Sequence, residues 1–484
     1  MTKSSASGPP NQVDSADRPI PLTAFERRFK HPPGLFILFF AEMWERFSYY
    51  GMRGLLKLYM ANYLFVTLRE SLQGCRQQTP PCPLVPGDPG GVLFWDAIRG
   101  FLPQHPAETA SMLYGTYTAL VYATPFFGGI IADRWLGQRK TVVLGALLMA
   151  AGHFVMAVES SFFVALALLI LGNGAFKPNI STQVGSLYAP GDPRRDGAFT
   201  IFYMGINVGA FISNLVCGTL AAVYGWHFGF AAAGVGMLLG LGVYLVGGKY
   251  LAADDLSKRR AAHKIERTPL TPVERKRVMA LVALCALNVV FWAVYEQQGN
   301  TMQSWADEHT RWPSVLGFQI PSTWFQSFNP LMIVLLAPLL DIFWRRQSRK
   351  GTEPSSVTKM AIGCVVLGLS FLIMIAGAQV VGGGKGSPFW PLFCVLLVTV
   401  GELYLSPIGL SLVTKVSPAR IVSMMMGMWF LSSFIGNFLS GVIGILYTRW
   451  PKEGFFLLLT GLGLAAGAAM WAFNRPLRAA VDNH

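Results

Sequence analysis

Glu42–Gly51 reads EMWERFSYYG, and this segment lies inside the first apolar stretch that is long enough to cross a membrane. A charged side chain at the centre of a membrane helix costs roughly 2.5–3.5 kcal/mol. Helical spacing puts the polar residues of this region on one face, as a stripe of Glu42, Glu45, Arg46, Tyr49 and Arg53. We expect the stripe to face a helix bundle or a water-filled cavity, and it predicts a functional site. The alternative is an ion pair between Glu42 and Arg46 that only holds helices together. That alternative does not account for the second carboxylate, which the pair leaves over.

The composition is typical of a protein that crosses the membrane many times. Of its 484 residues, 52% are hydrophobic and only 13% are charged, whereas about a quarter of a soluble chain is charged. The net charge of +14 comes from Lys and Arg in short loops between apolar spans, where they set topology. It therefore does not indicate a nucleic-acid partner. Residues 1–33 are polar and rich in proline, so we expect a disordered tail without a signal peptide.

Windows of membrane-spanning length predict an all-α membrane protein with twelve transmembrane helices. The predicted spans lie near 35–63, 109–132, 140–158, 162–186, 197–223, 226–249, 278–303, 322–344, 357–379, 389–414, 421–446 and 452–473. Basic residues concentrate in alternate loops, which places both termini in the cytoplasm.

The twelve spans divide into two six-helix bundles. The predicted parts are a cytoplasmic tail at 1–33, an N-terminal bundle at 34–249 with an extracytoplasmic insertion at about 64–108, a basic cytoplasmic linker at 250–277, a C-terminal bundle at 278–475 and a cytoplasmic tail at 476–484. Residues 128–134 (GGIIADR) and 337–341 (APLLD) occupy equivalent places in the two halves. Repeated halves with a site between them are the arrangement of transporters.

The six cysteines divide by location. Cys75 and Cys82 share a polar, Pro-rich loop, where a disulfide and two free thiols both remain open. The others lie in apolar spans and are expected to be packing residues, namely Cys217, Cys285, Cys364 and Cys394.

Several segments resemble known transporter motifs. Residues 129–139 (GIIADRWLGQR) resemble the loop 2–3 signature of the major facilitator superfamily, which implies that fold. The first-helix segment is similar to the signature of the proton-dependent oligopeptide transporter (POT/PTR) family. Four more segments resemble the same family, at 174–179 (GAFKPN), 202–209 (FYMGINVG), 291–298 (FWAVYEQQ) and 401–407 (GELYLSP). The resemblance covers residues 35–475. It implies a symporter that imports di- and tripeptides with protons across a bacterial inner membrane by alternating access.

The charges inside the predicted spans fit such a substrate. They are Glu42, Glu45, Arg46, Arg53, Lys177, Glu296 and Glu402, with all cations in the first half. A zwitterion lying between the halves would put its carboxylate toward Arg46 and Lys177 and its amine toward Glu402. This is the charge pattern of a short peptide, and the resemblance implies the same roles. Arginine suits a carboxylate because its planar fork binds both oxygens.

Further site residues are implied by the resemblance. The implied contacts to the peptide backbone are Tyr50, Tyr122, Asn207 and Asn329. Trp292 and Trp429 would line side-chain pockets, and Ser406 is a further substrate-binding residue. An asparagine both donates and accepts hydrogen bonds, so it suits an amide whose side chain varies. Without the family context, either tryptophan reads equally well as a packing or lipid-interface residue.

Proton coupling is expected to rest on carboxyl groups. Burial disfavours the charged form of a carboxyl group, so a buried glutamate can carry a proton. We expect Glu296 and the pair of Glu42 and Glu45 to do so. The resemblance also implies two gating ion pairs, Arg53 with Glu296 on the outer side and Lys177 with Glu402 on the inner side. Gly115 stands where animal members carry a histidine, which leaves the coupling to carboxylates.

Other classes of function find less support. There is no nucleophile–base pair or metal-ligand set that an enzyme needs, and His153 is expected to be a packed or gating polar group. The Gly-rich run at 382–387 lacks the spacing of a phosphate-binding loop and predicts a flexible turn. A peptide receptor and an anion or drug carrier on the same scaffold remain the alternatives. We expect no metal and no cofactor, only the proton gradient, with di- and tripeptides, peptide-like drugs, protons and the lipid bilayer as partners of a monomer.

Overall fold

A computed structural model describes residues 28–67, 105–189, 192, 194–252, 254, 269–418 and 421–474. Cys75, Cys82, most of the insertion at 64–108 and much of the linker at 250–277 lie outside these residues, so the predictions made for them stay predictions.

Helices of 18 residues or more follow one another through the described part of the chain. They are α1 Pro33–Tyr59, α2 Pro106–Ile131, α3 Gln138–Val155, α4 Phe162–Ser186, α5 Arg194–Tyr224, α6 Trp226–Val246, α7 Pro272–Tyr295, α8 Phe328–Arg349, α9 Ser356–Val381, α10 Phe389–Val416, α11 Val422–Arg449 and α12 Lys452–Ala472. Each predicted span overlaps one of these helices. Within the described residues, nine helices are long and apolar enough to cross a membrane.

Local sequence explains where several helices begin. Proline occupies the first turn of α1, α2 and α7, where the missing N–H would have no helical partner in any case. At the start of α7, Thr271 and Glu274 form a reciprocal capping box. Proline also lies inside α4, α8 and α10. Neighbouring helices in a bundle can satisfy the backbone groups that such a residue frees.

The predicted seventh span, 278–303, lies within the candidate membrane span Pro272–Glu308, but it is not one continuous α-helix. Helix α7 ends at Tyr295 and is followed by a 3₁₀ turn, Glu296–Gln298, and by the short helix Thr301–Glu308. The turn is polar but buried, because its side chains are tied to other elements. The Gln297 amide, for example, donates to the Ser440 carbonyl at 2.9 Å. Hydropathy depends only on composition. It therefore cannot indicate that the α-helix ends at Tyr295, because the turn that follows is stabilised by tertiary contacts.

The predicted eighth span and the candidate membrane span both begin at residue 322, but the first residues are not α-helical. Residues Ser322–Ser327 form a 3₁₀ helix, and the α-helix starts at Phe328. Between the short helix and this turn lies a small antiparallel hairpin of β1 Ser314–Val315 and β2 Phe318–Gln319.

Buried apolar side chains form two clusters. One draws on residues 35–251 and the other on residues 281–470. The two halves meet where α2 packs on α11, and where α5 packs on α8 and the turn before it. The contact of α2 with α11 is very close, because a Cβ atom added at Gly115 would lie 2.5 Å from the Gly441 backbone. The candidate site lies between these contacts.

Candidate substrate cavity

A cavity of about 310 Å³ lies between the two halves, and helices from both line it. The predicted site residues that line it are Arg46, Tyr50, Arg53, Tyr122, Lys177, Asn207, Trp292, Glu296, Asn329, Glu402, Ser406 and Trp429. Glu42 and Glu45 are not among its lining residues. A larger cavity of about 480 Å³, lined by Asn62, Asp307 and Arg311 among others, contains none of the predicted site residues.

Arg46 is the centre of a buried charge cluster on α1. Its Nε contacts the Glu42 carboxylate at 3.1 Å and also donates to the Glu45 carboxylate. Asn173 from α4 donates to the other Glu45 oxygen at 3.3 Å, and the Tyr49 ring lies 5.2 Å from the guanidinium carbon. The Glu42–Arg46 pair considered from the sequence is therefore present, and the carboxylate that it leaves over, Glu45, contacts the same guanidinium. Both contact a single guanidinium, so two acidic groups share one cation in a site that is at most 2% exposed.

The predicted partners Arg53 and Glu296 are in contact. An Arg53 Nη2 donates to the Glu296 carboxylate, and Arg53 Nε donates to the Tyr114 hydroxyl at 2.8 Å. The side chains are 13% and 2% exposed, so water screens the pair little. The pair joins α1 to the turn after α7 and hence one half to the other. Its role as a gate stays a prediction.

The predicted partners Lys177 and Glu402 are not paired. Lys177 Nζ lies 5.0 Å from the centre of the Tyr122 ring. Glu402 Oε2 instead accepts hydrogen bonds from Tyr295 Oη at 2.8 Å and from Asn329 Nδ2 at 3.1 Å. Among the residues that the structure describes, no ion pair joins Lys177 to any carboxylate. Both charged groups therefore line the cavity without neutralising each other.

The remaining predicted residues present hydrogen-bonding groups and aromatic surface. Asn207 donates to the Tyr203 carbonyl at 3.0 Å, and Asn329 also donates to Thr399 at 2.9 Å. Trp429 is 2% exposed and lies directly against Gly409, where a larger residue would collide with its ring. Fixed aromatic walls with a few polar groups are the usual make-up of a small-molecule site.

Several lining residues were missed from the sequence. Tyr295, which donates to Glu402, stands immediately before Glu296 in the FWAVYEQQ segment, so the motif contained the signal. Asn214 and Gln298 also line the cavity, as does Gln326 from the 3₁₀ turn before α8. Their positions at the cavity depend on how α5, α7 and α8 pack, and no local sequence pattern indicates these positions.

His153 is a packed polar residue. Its Nε2 lies 2.6 Å from Ser48 Oγ, and the side chain is fully buried between α1 and α3. A search of the described ranges finds no group of three or more His, Cys, Asp or Glu side chains that could hold a metal ion.

Comparisons with known proteins identify the family. A family model described as POT family matches residues 139–259 and 248–457. The peptide transporter YePEPT of Yersinia enterocolitica is 34% identical over 86% of this chain and 88% of its own length. A di-/tripeptide transporter of Lactococcus lactis subsp. cremoris is 30% identical over 93% of this chain and 96% of its own length.

The chain belongs to the POT family.

Solved POT structures share its fold. A crystal structure of a glutamate-to-glutamine mutant of a peptide transporter POT, in complex with alafosfalin, superposes with a TM-score of 0.78. It is 33% identical and covers 94% of this chain and 97% of that one. The resemblance predicted from the sequence is thus confirmed, and so is an all-helical membrane transporter fold. The relatives and structural neighbours are transporters and not enzymes.

Proposed function

We propose that this POT family member is a symporter that imports di- and tripeptides together with protons across the bacterial inner membrane. It crosses the membrane twelve times as two six-helix bundles, with both termini in the cytoplasm. It works as a monomer by alternating access, without a cofactor, and peptide-like drugs are a further substrate class.

The charge distribution of the cavity is the main observation that supports this proposal. Two cations from the first half, Arg46 and Lys177, and one carboxylate from the second half, Glu402, line the same 310 Å³ space. A peptide that bridges the halves puts its carboxylate at the cations and its ammonium group at Glu402. The relatives named as peptide and di-/tripeptide transporters support this choice of substrate. Tyr50, Tyr122, Asn207 and Asn329 then hold the peptide backbone.

Two groups of carboxylates are proposed to carry the protons. Glu42 and Glu45 share Arg46, so with both ionised the cluster holds one excess negative charge in a buried site. A proton bound to either carboxylate removes that charge. Arg46 also lines the cavity, so the cluster is coupled to peptide binding through one guanidinium. Glu296 is the second proposed proton carrier, since protonation weakens its bond to Arg53.

The state of the two ion pairs supports an inward-facing conformation. The Arg53–Glu296 pair is formed and Lys177 and Glu402 are apart. In the proposed cycle, protonation of Glu296 releases Arg53 and opens the outer side. The inner pair of Lys177 and Glu402 then forms, and the next peptide breaks it by binding to both residues.

Uptake of radiolabelled dialanine into proteoliposomes tests the function. We expect accumulation above the external concentration under an inward proton gradient, and its collapse when a protonophore is added. Equilibration without accumulation would reject proton coupling. No dialanine binding or transport by folded protein would reject the peptide substrate and favour another solute.

A further inference from the structure

Four buried polar atoms on residues that line the cavity have no hydrogen-bond partner among the described residues. Two are donors, Arg46 Nη2 and Trp292 Nε1, and two are acceptors, Asn214 Oδ1 and Gln298 Oε1. Buried polar groups are almost always paired, so unpaired ones around a cavity indicate where a ligand makes its bonds. The donors belong to residues already assigned to the peptide, whereas the acceptors belong to residues that have no role in the proposed mechanism.

Asn214 lies on α5, two turns beyond Asn207. Seven residues correspond to roughly 10 Å along a helix, on nearly the same face. Asn214 is 2% exposed, and its amide nitrogen donates to Ser213 Oγ at 3.3 Å. Its oxygen lies over Gly54, where any side chain would overlap it. Gly54 follows Arg53, so Asn214 extends the cavity from the backbone-binding region toward the outer ion pair.

Gln298 approaches the same end of the cavity from the other half. It is 7% exposed and ends the turn that begins with Glu296. Gln326 donates to the Gln298 carbonyl at 3.0 Å and to Gln303 Oε1 at 2.8 Å. These bonds fix the main chain of Gln298, while no described residue donates to the oxygen of its side chain.

We propose that Asn214 and Gln298 form an acceptor subsite at the outer end of the cavity, which selects peptides whose side chain carries an amide N–H donor. The inference rests on the proposed function and names a specificity of that same cavity. No described residue donates to either oxygen, and the terminal torsion of an amide side chain is soft. Each oxygen can therefore turn toward a ligand, and for Asn214 this breaks only the 3.3 Å bond to Ser213 Oγ. An amide N–H supplies the missing donor, whereas an apolar side chain leaves both oxygens unpaired, which is costly.

Competition in proteoliposomes tests the subsite. Unlabelled Ala-Gln and Ala-Met, whose Gln and Met side chains have similar shapes, compete with labelled dialanine. The peptides of reversed sequence, Gln-Ala and Met-Ala, are tested in the same way. In at least one order, we expect the wild type to prefer the Gln peptide. Asn214→Leu and Gln298→Met should each reduce that preference by about 3- to 10-fold, the loss of one neutral hydrogen bond. Dialanine itself has no side-chain donor, so the Gln/Met ratio, and not the rate of dialanine uptake, reports on the subsite in both variants.

Asn437→Leu is the matched control. Its amide oxygen is also buried without a partner among the described residues, but Asn437 does not line the cavity. The Gln/Met preference should therefore stay at its wild-type value. If a variant loses transport, the same ratio is measured by calorimetric binding to monodisperse protein in detergent. Equal Gln/Met ratios in wild type and both variants overturn the subsite. Failure of the wild type to bind or transport dialanine instead rejects the proposed function.

Discussion

Arg53 on α1 and Glu296 after α7 are 243 residues apart in sequence and form a buried ion pair. The Tyr114 hydroxyl of α2 accepts a second bond from the same guanidinium. Gly299 makes room for this arrangement, because any side chain there would overlap the Tyr114 hydroxyl. Three elements from both halves thus meet at one guanidinium, and in the proposed cycle the charge of Glu296 controls whether they stay together.

Glu296→Gln is expected to abolish proton-driven accumulation of peptide while exchange of peptide across the membrane survives. The amide cannot take up and release a proton, so the Arg53 contact no longer responds to the gradient. Accumulation and counterflow of labelled dialanine, measured side by side, separate the two activities. Glu453→Gln, which removes a carboxylate in the first turn of α12 away from the cavity, should retain both. Concentrative uptake by Glu296→Gln would refute this coupling scheme.

Glu402→Gln should weaken recognition of the peptide amino terminus. A hydrogen bond to a charged group contributes about 1.5–3 kcal/mol, so we expect the apparent affinity for dialanine to fall by about 10- to 100-fold. N-acetyl-dialanine has no ammonium group, and its affinity should change much less. Competition assays with both compounds measure the ratio. A variant that still favours dialanine as strongly as wild type does would place the amino terminus elsewhere.

A second contact between the halves joins Glu108 at the start of α2 to Arg449 at the end of α11. Two guanidinium nitrogens donate to the carboxylate at 2.7 and 3.0 Å, and Thr448 Oγ1 donates at 3.0 Å. The Arg449 side chain is 59% exposed, so solvent screens the pair and its contribution to stability is small. In the proposed topology it lies on the outer side.

Arg449→Gln should therefore shift the conformational equilibrium toward the outward-open state by about 2- to 5-fold. Distances between spin labels on the outer ends of α2 and α11 report the populations. The reversed pair, Glu108→Arg with Arg449→Glu, should restore the wild-type distribution, whereas each single reversal should not. Identical populations in all these variants would show that the contact does not contribute to closure.

Gly115→Ala is expected to disrupt the packing of α2 on α11. The added methyl group would lie 2.5 Å from Gly441 backbone atoms and 2.8 Å from the Asn437 carbonyl, and backbone cannot move aside as a side chain can. Overpacking of this kind costs about 1–3 kcal/mol. We expect a lower melting temperature and slower uptake.

Gly129→Ala is the matched control in the same helix, because a Cβ atom there meets nothing within 4 Å. It should leave both quantities at wild-type values. Equal melting temperatures for the two variants would contradict the close contact. The same crowding means that a histidine at position 115, as in animal members, does not fit this arrangement of α2 and α11.

The residues of the cavity could be predicted largely because they occur in recognisable segments. Arg46, Lys177 and Glu402 are ionisable residues within apolar helices, which is unusual enough to be noticed in a single sequence. Asn214, Gln298 and Gln326 were not predicted, because a neutral amide in a helix or turn is not unusual in the way that a charged residue in an apolar helix is. Their place around the cavity follows from the packing of α5 against α8 and the preceding turn.

The sequence by itself determined the family, the long apolar helices and the charged side chains that these helices carry inward. It could do so because hydropathy and helical periodicity are local properties of the chain. The family resemblance implied the contact of Arg53 with Glu296, but only the tertiary structure decided which of the expected pairs form. It pairs Arg53 with Glu296, brings both Glu42 and Glu45 to Arg46, keeps Lys177 apart from Glu402 and breaks α7 at Tyr295. Most of these contacts join residues far apart in the chain, and even those within α1 depend on side-chain packing, which composition and periodicity do not specify.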